Sequence, residues 1–374
     1  MKKVLYVATV LSHICQFHLP YLEMFQEKGY EVHVAARDNL AEKNGLRLKH
    51  ADRHFEIPFE RSPFSLKNVT SYKQLKQLLD RERYDLIICN TPVGGIVTRL
   101  AAKNARKKGT KVVYIAHGFH FYKGAPKKNW LIYYPIEKYF AKKCDALVTI
   151  TDEDYHFATQ HFKTNIVRMH GVGVDGTRHC VVSLEEKQAI RKELHIPETD
   201  FICLCTGELN INKNQRELIQ LVPQLLKKIP CFQLWLAGNG PLREELETLI
   251  AMLHLQDSVR LLGYQPAIEK YIRASDVVLS ASKREGLPFN VIEAMLSKRP
   301  VVVSVNRGHK ELVVNGENGF IADEQDDFID SIVRLRENNI LYTNIADNAF
   351  EYAQRYTIKA TMMEFEQLLG DGNG

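Results

Sequence analysis

The chain has 374 residues, of which 45% are hydrophobic and 25% charged, with a formal net charge of +5. This composition is typical of a globular protein, and the length predicts two domains rather than one. The absence of an apolar run of ~18 residues argues against a transmembrane helix. The seven scattered cysteines form no C-x-x-C pair, so we expect reduced thiols rather than disulfides or a metal site.

Short apolar segments alternate with amphipathic segments along the first half of the chain. Strands are predicted at 4–9, 31–35, 86–89, 112–116 and 146–150, and helices at 19–27, 73–83, 94–108 and 132–143. Strands that alternate with helices predict a parallel sheet covered by helices on both faces, which is an α/β architecture.

The pattern restarts in the second half, with predicted strands at 201–206, 232–237, 259–262, 277–280 and 301–304. The predicted domains are therefore 1–172 and 173–355, both Rossmann-like, followed by a helical segment at 356–374 that returns to the first domain. Open parallel sheets bind ligands at the carboxyl ends of their strands. We expect the two domains to face each other across a cleft lined by those ends.

The segment 101–143 carries eleven Lys or Arg residues and a single acid, Glu137. Aromatic residues are interleaved with these cations, a combination that fits an anionic membrane surface. The alternative interpretation is a solvated helix whose aromatic side chains face the core. No nucleic-acid motif accompanies the basic residues, so we expect no nucleic-acid partner.

The common phosphate-binding and metal-binding motifs are missing from this sequence. It has no G-x-G-x-x-G after the first strand, no P-loop and no D-x-D. No metal site is therefore expected, and a bound diphosphate has to be met by lysine, backbone N–H groups and a helix N-terminus. Gly207 and Lys213, between a strand and a helix, fit that role, although Lys213 is equally well explained as a solvated lysine.

A second element suited to a nucleotide sugar is the segment Glu285-Gly286-Leu287-Pro288-Phe289, which leads into a helix containing Glu293. Proline favours the first turn of a helix, so Pro288 is predicted to begin it. The helix N-terminus suits a phosphate, and Glu293 suits a ribose diol. Alternatively, Glu285 is an acid in a loop without a special role, and Glu293 is only a glutamate that the helix dipole stabilises near the helix N-terminus.

Four histidines and a glycine pair are candidates in the first domain. His117 follows the strand at 112–116, which places it at the carboxyl end of that strand, and Gly118 allows a turn there; the alternative is a structural histidine. His13, His18 and His120 have weaker cases. Gly94 and Gly95 open a predicted helix, where they could accept a phosphate of a second substrate.

Taken together and in order, these motifs resemble the retaining family-4 glycosyltransferases of the GT-B fold, also called glycosyl transferases group 1, over nearly the whole chain. The resemblance rests first on Glu285 and Glu293, which form the family's E-x7-E motif. Four further segments also match the family: Leu236-Ala237-Gly238-Asn239-Gly240-Pro241-Leu242, Leu262-Gly263-Tyr264, Pro300-Val301-Val302 and Gly308-His309-Lys310-Glu311-Leu312-Val313.

The resemblance implies roles for individual residues. Glu285 and His117 would act at the donor sugar, and Lys213 would bind the diphosphate. The other implied donor-binding residues are Gly207, Gly263, Tyr264, Gly286, Leu287, Pro288, Phe289 and Glu293. The family needs no metal and no cofactor beyond the nucleotide-sugar co-substrate. One departure is Glu208, which stands where the family usually has an arginine.

Two segments resemble the bacterial capsular and exopolysaccharide subgroup: Ser12-His13-Ile14…Phe17-His18-Leu19-Pro20 and His117-Gly118-Phe119-His120-Phe121-Tyr122. The subgroup implies a UDP-sugar donor and an undecaprenyl-diphosphate-linked saccharide acceptor, with a hexose or N-acetylhexosamine transferred with retention. It also implies a cytoplasmic protein, peripheral at the inner face of the membrane. Acceptor-side residues on this view are Ser12, His13, His18, Gly94, Gly95 and Lys123.

Two other functions stay open on the sequence alone. Nonhydrolysing UDP-sugar 2-epimerases share this fold and also keep Glu and His in the cleft. A non-catalytic nucleotide-sugar-binding subunit would explain Glu208 and the first loop, in which Ser12-His13 stands where the family usually has Gly-Gly. The E-x7-E context favours the transferase.

Overall fold

The computed structural model describes residues 1–42 and 45–370, which form two compact units. Unit 1 comprises Met1–Gly173 with the described residues from Thr361 onward, and unit 2 is Val174–Ala360. The predicted C-terminal segment 356–374 thus ends in four residues that lie outside the described part. Among the described residues, no helix combines the length and apolarity needed to cross a membrane.

Unit 1 contains a seven-stranded parallel sheet in the order β3-β2-β1-β4-β5-β6-β7. The strands are β1 (Lys3–Val10), β2 (Glu31–Arg37), β3 (Arg53–Glu56), β4 (Leu86–Asn90), β5 (Lys111–Ala116), β6 (Ala146–Thr149) and β7 (Asn165–Arg168). The helices are α1 (Leu11–Phe17), α2 (Leu19–Glu27), α3 (Lys67–Arg81), α4 (Pro92–Ala101), α5 (Lys103–Lys107), α6 (Lys127–Ala141) and α7 (Asp152–His161).

Unit 2 repeats this architecture with a six-stranded parallel sheet in the order β10-β9-β8-β11-β12-β13. Its strands are β8 (Phe201–Thr206), β9 (Phe232–Ala237), β10 (Val259–Gly263), β11 (Val277–Ser280), β12 (Val301–Ser304) and β13 (Phe320–Ala322). Its helices are α8 (Leu184–Glu193), α9 (Gln215–Lys228), α10 (Arg243–Met252), α11 (Ile268–Ala274), α12 (Phe289–Leu296), α13 (Arg307–Leu312), α14 (Gln325–Glu337) and α15 (Asn339–Ala353).

Both sheets are buried on both faces, which explains why their central strands are apolar throughout. Every residue of β4 and of β8 is buried, because helices cover each side of a parallel sheet. All ten strands predicted from the sequence are confirmed, nine of them to within one residue at each end, while β2 runs two residues further than predicted. The strands that the prediction missed are β3, β7 and β13.

The last helix, α16 (Ile358–Gly370), packs on unit 1. Tyr21 on α2 donates a hydrogen bond to Thr361 Oγ1 at 3.0 Å, and its ring lies 5.3 Å from that of Phe365. Phe365 is fully buried, and Lys28 pairs with Glu366 at 2.8 Å. Helix α16 therefore packs against α2 of unit 1.

Candidate active site

Most of the donor-side residues predicted in unit 2 follow two neighbouring strands, β8 and β11. β8 ends at Thr206 and β11 at Ser280, and because these strands pair in parallel their following loops leave the same edge of the sheet. The two loops contact each other: Lys283 N–H donates to Asn212 O at 2.8 Å, and Asn212 Nδ2 donates to Arg284 O at 3.0 Å. The fold thus brings the Gly207 loop against the Glu285 loop.

Lys213 and Glu285 form an ion pair where these loops meet. Lys213 Nζ lies 2.6 Å from Glu285 Oε1, and the side chains are 22% and 14% exposed. Asn210 Oδ1 accepts a hydrogen bond from Lys213 N–H at 2.9 Å, which holds the turn before α9. The cation predicted for a diphosphate and the carboxylate predicted for a sugar are therefore in direct contact, as a charge-assisted pair shielded from most solvent.

Two glycines allow the strand ends around Lys213 to approach closely. A Cβ at Gly238 would lie 2.0 Å from Gly207 O, and Gly207 (φ 144°) and Gly238 (φ 148°) both use backbone angles that favour glycine. The aliphatic part of Lys213 runs past Gly207, where an added Cβ would lie 3.2 Å from Lys213 Cε. Gly207 therefore provides the path along which Lys213 reaches Glu285.

The helix after Glu285 begins one residue later than predicted. Pro288 is the N-cap with an extended backbone, and α12 starts at Phe289, so the prediction that Pro288 opens the helix is corrected. A fixed proline φ also suits this extended position. Asn290 Nδ2 donates to Thr206 O at 3.2 Å, which ties α12 to β8. The positive end of the α12 dipole lies immediately after the loop that contains Gly286 and Leu287.

Glu293, one turn into α12, faces a histidine that the sequence analysis did not identify. His179 Nε2 lies 3.6 Å from Glu293 Oε1, with side-chain exposures of 4% and 22%. Burial raises the pKa of Glu293 to about 7 and lowers the pKa of His179 to about 4. The pair is therefore a neutral imidazole beside a carboxyl group that changes charge near neutral pH.

Gly263 is the last residue of strand β10, beside the Gly238 turn, and Tyr264 follows it. Gly238 N–H donates to Gly263 O at 2.8 Å, and Gly263 adopts a positive φ of 70°. Tyr264 is 63% exposed, so its ring is open to stacking.

Glu208, the departure from the family pattern, lies on the surface of the loop that follows β8 and contains Gly207 and Lys213. Its carboxylate accepts a hydrogen bond from Asn210 Nδ2 at 2.8 Å, and the side chain is exposed. Lys283 and Arg284, on the facing loop, are also exposed. Their charges oppose that of Glu208 at this edge of the sheet.

A network of buried polar side chains lies next to the Glu285 loop. Of its residues, only Gly308 and His309 were noted from the sequence, as part of a family motif. His309 is fully buried; its Nδ1 lies 2.7 Å from Ser304 O, and its Nε2 lies 3.0 Å from Ser280 Oγ. Burial lowers the pKa of His309 to about 4, so the ring is neutral. A Cβ at Gly308 would lie 2.7 Å from Glu285 Cβ, so α13 starts in contact with that glutamate.

In unit 1, three of the four predicted histidines come together, whereas the ring of His120 stacks on that of Tyr133 at 4.5 Å. His13 lies on α1 after β1, His18 joins α1 to α2, and His117 follows β5. The Nε2 atoms of His13 and His117 are 3.3 Å apart, and the ring of His18 lies 5.3 Å and 5.5 Å from those of His13 and His117. Asn90, at the end of β4, contacts His117 Nε2 through Oδ1 at 3.1 Å and was not predicted.

Burial keeps these three rings neutral. It lowers the pKa of His13 to about 4, and it holds the pKa values of His18 and His117 well below their ordinary value. Mutual repulsion between the rings lowers the pKa of His18 and of His117 further.

The remaining acceptor-side predictions are tied into local structure. Ser12 exchanges hydrogen bonds with Asn39, through its N–H at 3.0 Å and its Oγ at 2.9 Å. Lys123 is exposed, and its N–H donates to Glu153 Oε1 at 2.9 Å.

The glycine pair of α4 serves packing instead of presenting free amides. Gly94 N–H donates to Thr9 Oγ1 at 3.2 Å and Gly95 N–H to Thr91 O at 2.8 Å, and both glycines are buried. A Cβ at Gly95 would lie 2.4 Å from the ring of Tyr114. Because α4 begins at Pro92 and both amide N–H groups already have acceptors, neither glycine offers a free N–H group to a phosphate.

Most aromatic side chains of the basic segment face the core of unit 1. Trp130, Tyr133 and Tyr134 pack against that core, whereas Leu131 and Tyr139 are 77% and 57% exposed. The lysines point outward; exposed examples are Lys103, Lys107, Lys108, Lys123, Lys127, Lys128, Lys138 and Lys142. The solvent-facing side of this segment is therefore more basic than aromatic.

An apolar groove of about 400 Å³ lies between α3 and α4 of unit 1. Its rim includes Phe64, Leu66 and Val69, which are 67%, 87% and 51% exposed. Exposed apolar side chains in one group mark surfaces that bind apolar partners.

Two family models match the chain. Residues 186–352 match the family described as "Glycosyl transferases group 1", and residues 3–151 match "Glycosyl transferase 4-like". The chain is 44% identical over 322 residues to a Bacillus subtilis protein named "Putative glycosyltransferase EpsD", which covers 86% of this chain and 83% of that protein.

A second relative carries a more specific name. The chain is 25% identical over 343 residues to the Escherichia coli protein "UDP-Gal:alpha-D-GlcNAc-diphosphoundecaprenol alpha-1,3-galactosyltransferase", covering 89% of this chain and 87% of that protein.

Among solved structures, HepE from Anabaena in complex with UDP and glucose matches with a TM-score of 0.78 at 21% identity, covering 99% of this chain and all of that one. Sucrose-phosphate synthase from Thermosynechococcus elongatus matches with a TM-score of 0.78 at 16% identity, covering 99% of each chain. These likenesses confirm the predicted α/β GT-B fold.

Proposed function

The chain belongs to the glycosyltransferases of group 1, and we propose that it transfers a hexose or N-acetylhexosamine from a UDP-sugar to an undecaprenyl-diphosphate-linked saccharide. The observation that carries the proposal is the contact between Lys213 and Glu285 beside the N-terminus of α12. A cation, a helix dipole and a carboxylate at one sheet edge match the diphosphate and sugar of a nucleotide sugar.

On this proposal the donor lies along the carboxyl edge of the unit 2 sheet. Lys213 and the Gly286–Phe289 loop bind the diphosphate, Glu285 binds the sugar, and Glu293 accepts hydrogen bonds from the ribose hydroxyls. Gly207 leaves room for the phosphates, while Gly263 and Tyr264 border the base. UDP is the favoured nucleotide because HepE was solved with UDP and with UDP-glucose.

We infer a retaining, metal-independent reaction. The bond between the anomeric carbon and the UDP oxygen breaks, the acceptor oxygen bonds to the same face of that carbon, and the departing phosphate takes the acceptor proton. Lys213 and the α12 dipole stabilise the charge that develops on the diphosphate.

The acceptor side is assigned to unit 1. His117, which follows β5 and contacts Asn90 at the end of β4, is proposed to approach the reacting sugar. His13, His18, Ser12 and Lys123 are proposed to lie on the acceptor side. The exposed lysines of the segment 101–143 suit an anionic membrane surface, and the groove beside Phe64 suits a polyprenyl chain. The E. coli relative is named for an undecaprenyl-linked substrate, which supports a lipid-linked acceptor. We further propose a peripheral location at the cytoplasmic face and a role in exopolysaccharide or capsule synthesis.

The test is a two-substrate assay with purified protein. UDP-, GDP- and ADP-sugars are incubated with undecaprenyl-diphosphate-linked mono- and disaccharides, and lipid products are followed by mass spectrometry and anomeric NMR. The proposal predicts one UDP-sugar that is transferred with its anomeric configuration kept. Conversion of UDP-GlcNAc to UDP-ManNAc without acceptor would indicate an epimerase instead, and tight UDP binding without any transfer would indicate a binding subunit.

A further inference from the structure

A further cavity, of about 360 Å³, lies at the amino edge of the unit 2 sheet, opposite the donor loops. Its lining includes Phe201, the first residue of β8, and Asp276, which directly precedes β11. Ligands of open parallel sheets bind at the carboxyl ends of the strands, where the proposed donor site lies. The donor site therefore does not account for this cavity, which we call the amino-edge pocket.

The charged side chains that line the amino-edge pocket are mostly cationic. Lys187, Arg299 and Arg336 contribute three positive charges, and Asp276 is the one acid among the described lining residues. Arg191, which is buried beside the pocket, is a fourth cation and also pairs with Asp276. One carboxylate thus stands against four cations.

Asp276 is already engaged by partners other than Arg299. Its Oδ1 accepts a hydrogen bond from Lys187 Nζ at 2.7 Å, and its Oδ2 accepts from Arg191 Nη2 at 2.6 Å and from Ile202 N–H at 2.8 Å. Burial, with a contribution from the charge of Arg299, lowers the pKa of Lys187 to about 8, although Asp276 acts in the opposite direction. The pocket therefore holds more positive charge than Asp276 balances.

Arg299 is the buried cation that lacks a counter-ion. It is 8% exposed, and its Nη1 reaches Tyr342 Oη only at 3.4 Å. Within the part of the chain that the structure describes, its Nε has no hydrogen-bond partner and no carboxylate forms an ion pair with it. The end of α12, three residues earlier, offers only the partial negative charge of a helix dipole. A buried charge needs a partner, so the position points to an anion.

We propose that the amino-edge pocket binds a phosphate monoester group, with Arg299, Lys187 and Arg336 as its cations. A guanidinium presents paired N–H donors that match phosphate oxygens, and a dianion would balance the excess charge. Arg336 is exposed, with its guanidinium 5.6 Å from the ring of Phe201, so it can turn onto a ligand from the rim.

The rest of the lining suits the organic part of such an ester. Val182, Leu184 and Leu335 bring apolar side chains into the same lining as the cations. A ligand with a phosphate at one end and a small organic group at the other would use both. The phosphate monoester belongs either to a soluble metabolite or to a lipid headgroup, and the experiment separates these two sources.

The test measures binding to the full chain in the absence of nucleotide sugar, so its outcome does not depend on the transferase proposal. Glycerol phosphate, a soluble phosphate monoester, is titrated by calorimetry and by thermal melts. A parallel arm uses vesicles that contain phosphatidic acid, with phosphatidylcholine vesicles as the blank. We expect one saturable site per chain for one of these two probes, and a melting temperature that rises with glycerol phosphate if the soluble ester is the ligand.

Arg299→Gln and Arg336→Gln should each weaken binding of that probe at least about 10-fold, because each removes a charge-assisted donor. The matched control is Arg334→Gln, an exposed arginine on the same helix that does not line the pocket. Circular dichroism establishes that each variant is folded, and Arg336 is the safer of the two sites to change because it is exposed.

Lys213→Ala distinguishes the amino-edge pocket from the donor edge and should bind the probe as the wild type does. The proposal is overturned if neither probe binds the wild type. It is also overturned if folded Arg336→Gln and Arg299→Gln proteins bind as tightly as Arg334→Gln, or if binding is lost only in Lys213→Ala, since the anion then lies elsewhere.

Discussion

Lys213 and Glu285, 72 residues apart in sequence, meet in a 2.6 Å ion pair at the carboxyl edge of the unit 2 sheet. Each residue therefore sets the electrostatic environment of the other. Without Glu285, Lys213 would present a full positive charge to a diphosphate; without Lys213, Glu285 would be an uncompensated carboxylate beside a phosphate site. This mutual dependence predicts how substitutions at either residue behave.

Lys213→Ala should reduce transfer more than it reduces stability. Loss of a preorganised charged donor to the departing diphosphate is expected to lower kcat/KM by about 100-fold or more. Lys213→Arg keeps the charge and should recover part of the rate. Steady-state kinetics on both variants make the check, with Lys227→Ala on α9 as the control for removing an exposed lysine. Wild-type kinetics in Lys213→Ala would argue against a phosphate role.

The pH dependence of donor binding should follow Glu293. Because burial raises the pKa of Glu293 to about 7, the carboxylate that accepts the ribose hydroxyls is the minor form at pH 6 and the major form at pH 8. We expect UDP affinity to rise about 10-fold over that interval, as the ionised fraction does. Calorimetry at several pH values measures this. In Glu293→Gln the rise should disappear, and a rise that persists there would assign it to another group.

The same raised pKa predicts an effect on stability with a defined sign. The unfolded chain releases the Glu293 proton near pH 4.5, whereas the folded chain releases it near 7, so the free energy of unfolding falls between those pH values. Glu293→Gln removes this loss and should stabilise the protein at pH 8, by at most ~3 kcal/mol, but not at pH 4.5. Urea unfolding at the two pH values tests this, and exposed Glu247→Gln is the control.

Gly308→Ala should displace Glu285 while leaving the fold intact. The added Cβ would lie 2.5 Å from Gly286 O and 2.7 Å from Glu285 Cβ, and the first of these is backbone that cannot rotate away. We expect a loss of about 1–3 kcal/mol in stability together with a large fall in kcat. The control is Gly370→Ala, where a Cβ meets nothing within 4 Å. If Gly308→Ala were less stable but fully active, the position of Glu285 would not matter.

Glu137, the only acid of the basic segment 101–143, is buried, and we expect it to contribute to the stability of the fold. It accepts hydrogen bonds from Arg99 at 3.0 Å and Tyr114 at 3.1 Å, and Arg99 is fully buried. Glu137→Gln leaves a buried guanidinium uncompensated, which should cost about 3–5 kcal/mol. Denaturant unfolding against exposed Glu198→Gln gives the value. A change below about 0.5 kcal/mol, the range of ordinary surface substitutions, would contradict this account.

The sequence was informative wherever local pattern determines structure. Central strands such as β4 and β8 are apolar runs, and they were predicted because both faces of a parallel sheet are buried. The edge strands β3 and β7 carry charged or half-exposed residues, so they show no such run. β13 has only three residues, too few to establish a pattern.

The candidate site was only partly predictable for a related reason. Glu285, Lys213 and His117 each follow a strand in a recognisable motif, which is why they were found. His179 and Asn90 act through partners 114 and 27 positions away, a relationship that only the folded chain provides. The contacts of Gly94 and Gly95 could not be predicted from the sequence, because a glycine pair has the same appearance whether it receives a phosphate or packs against the ring of Tyr114.

The most direct test of the central claim is the initial rate of sugar transfer by Glu285→Gln at saturating UDP-sugar, beside the wild type and the exposed control Glu317→Gln. Glutamine keeps the size of the side chain but is neutral, so it cannot form an ion pair with Lys213. The account predicts a folded variant that transfers sugar at least about 100-fold more slowly than the wild type, while the control is unaffected. A rate near that of the wild type would contradict the assignment of Glu285 to the donor sugar.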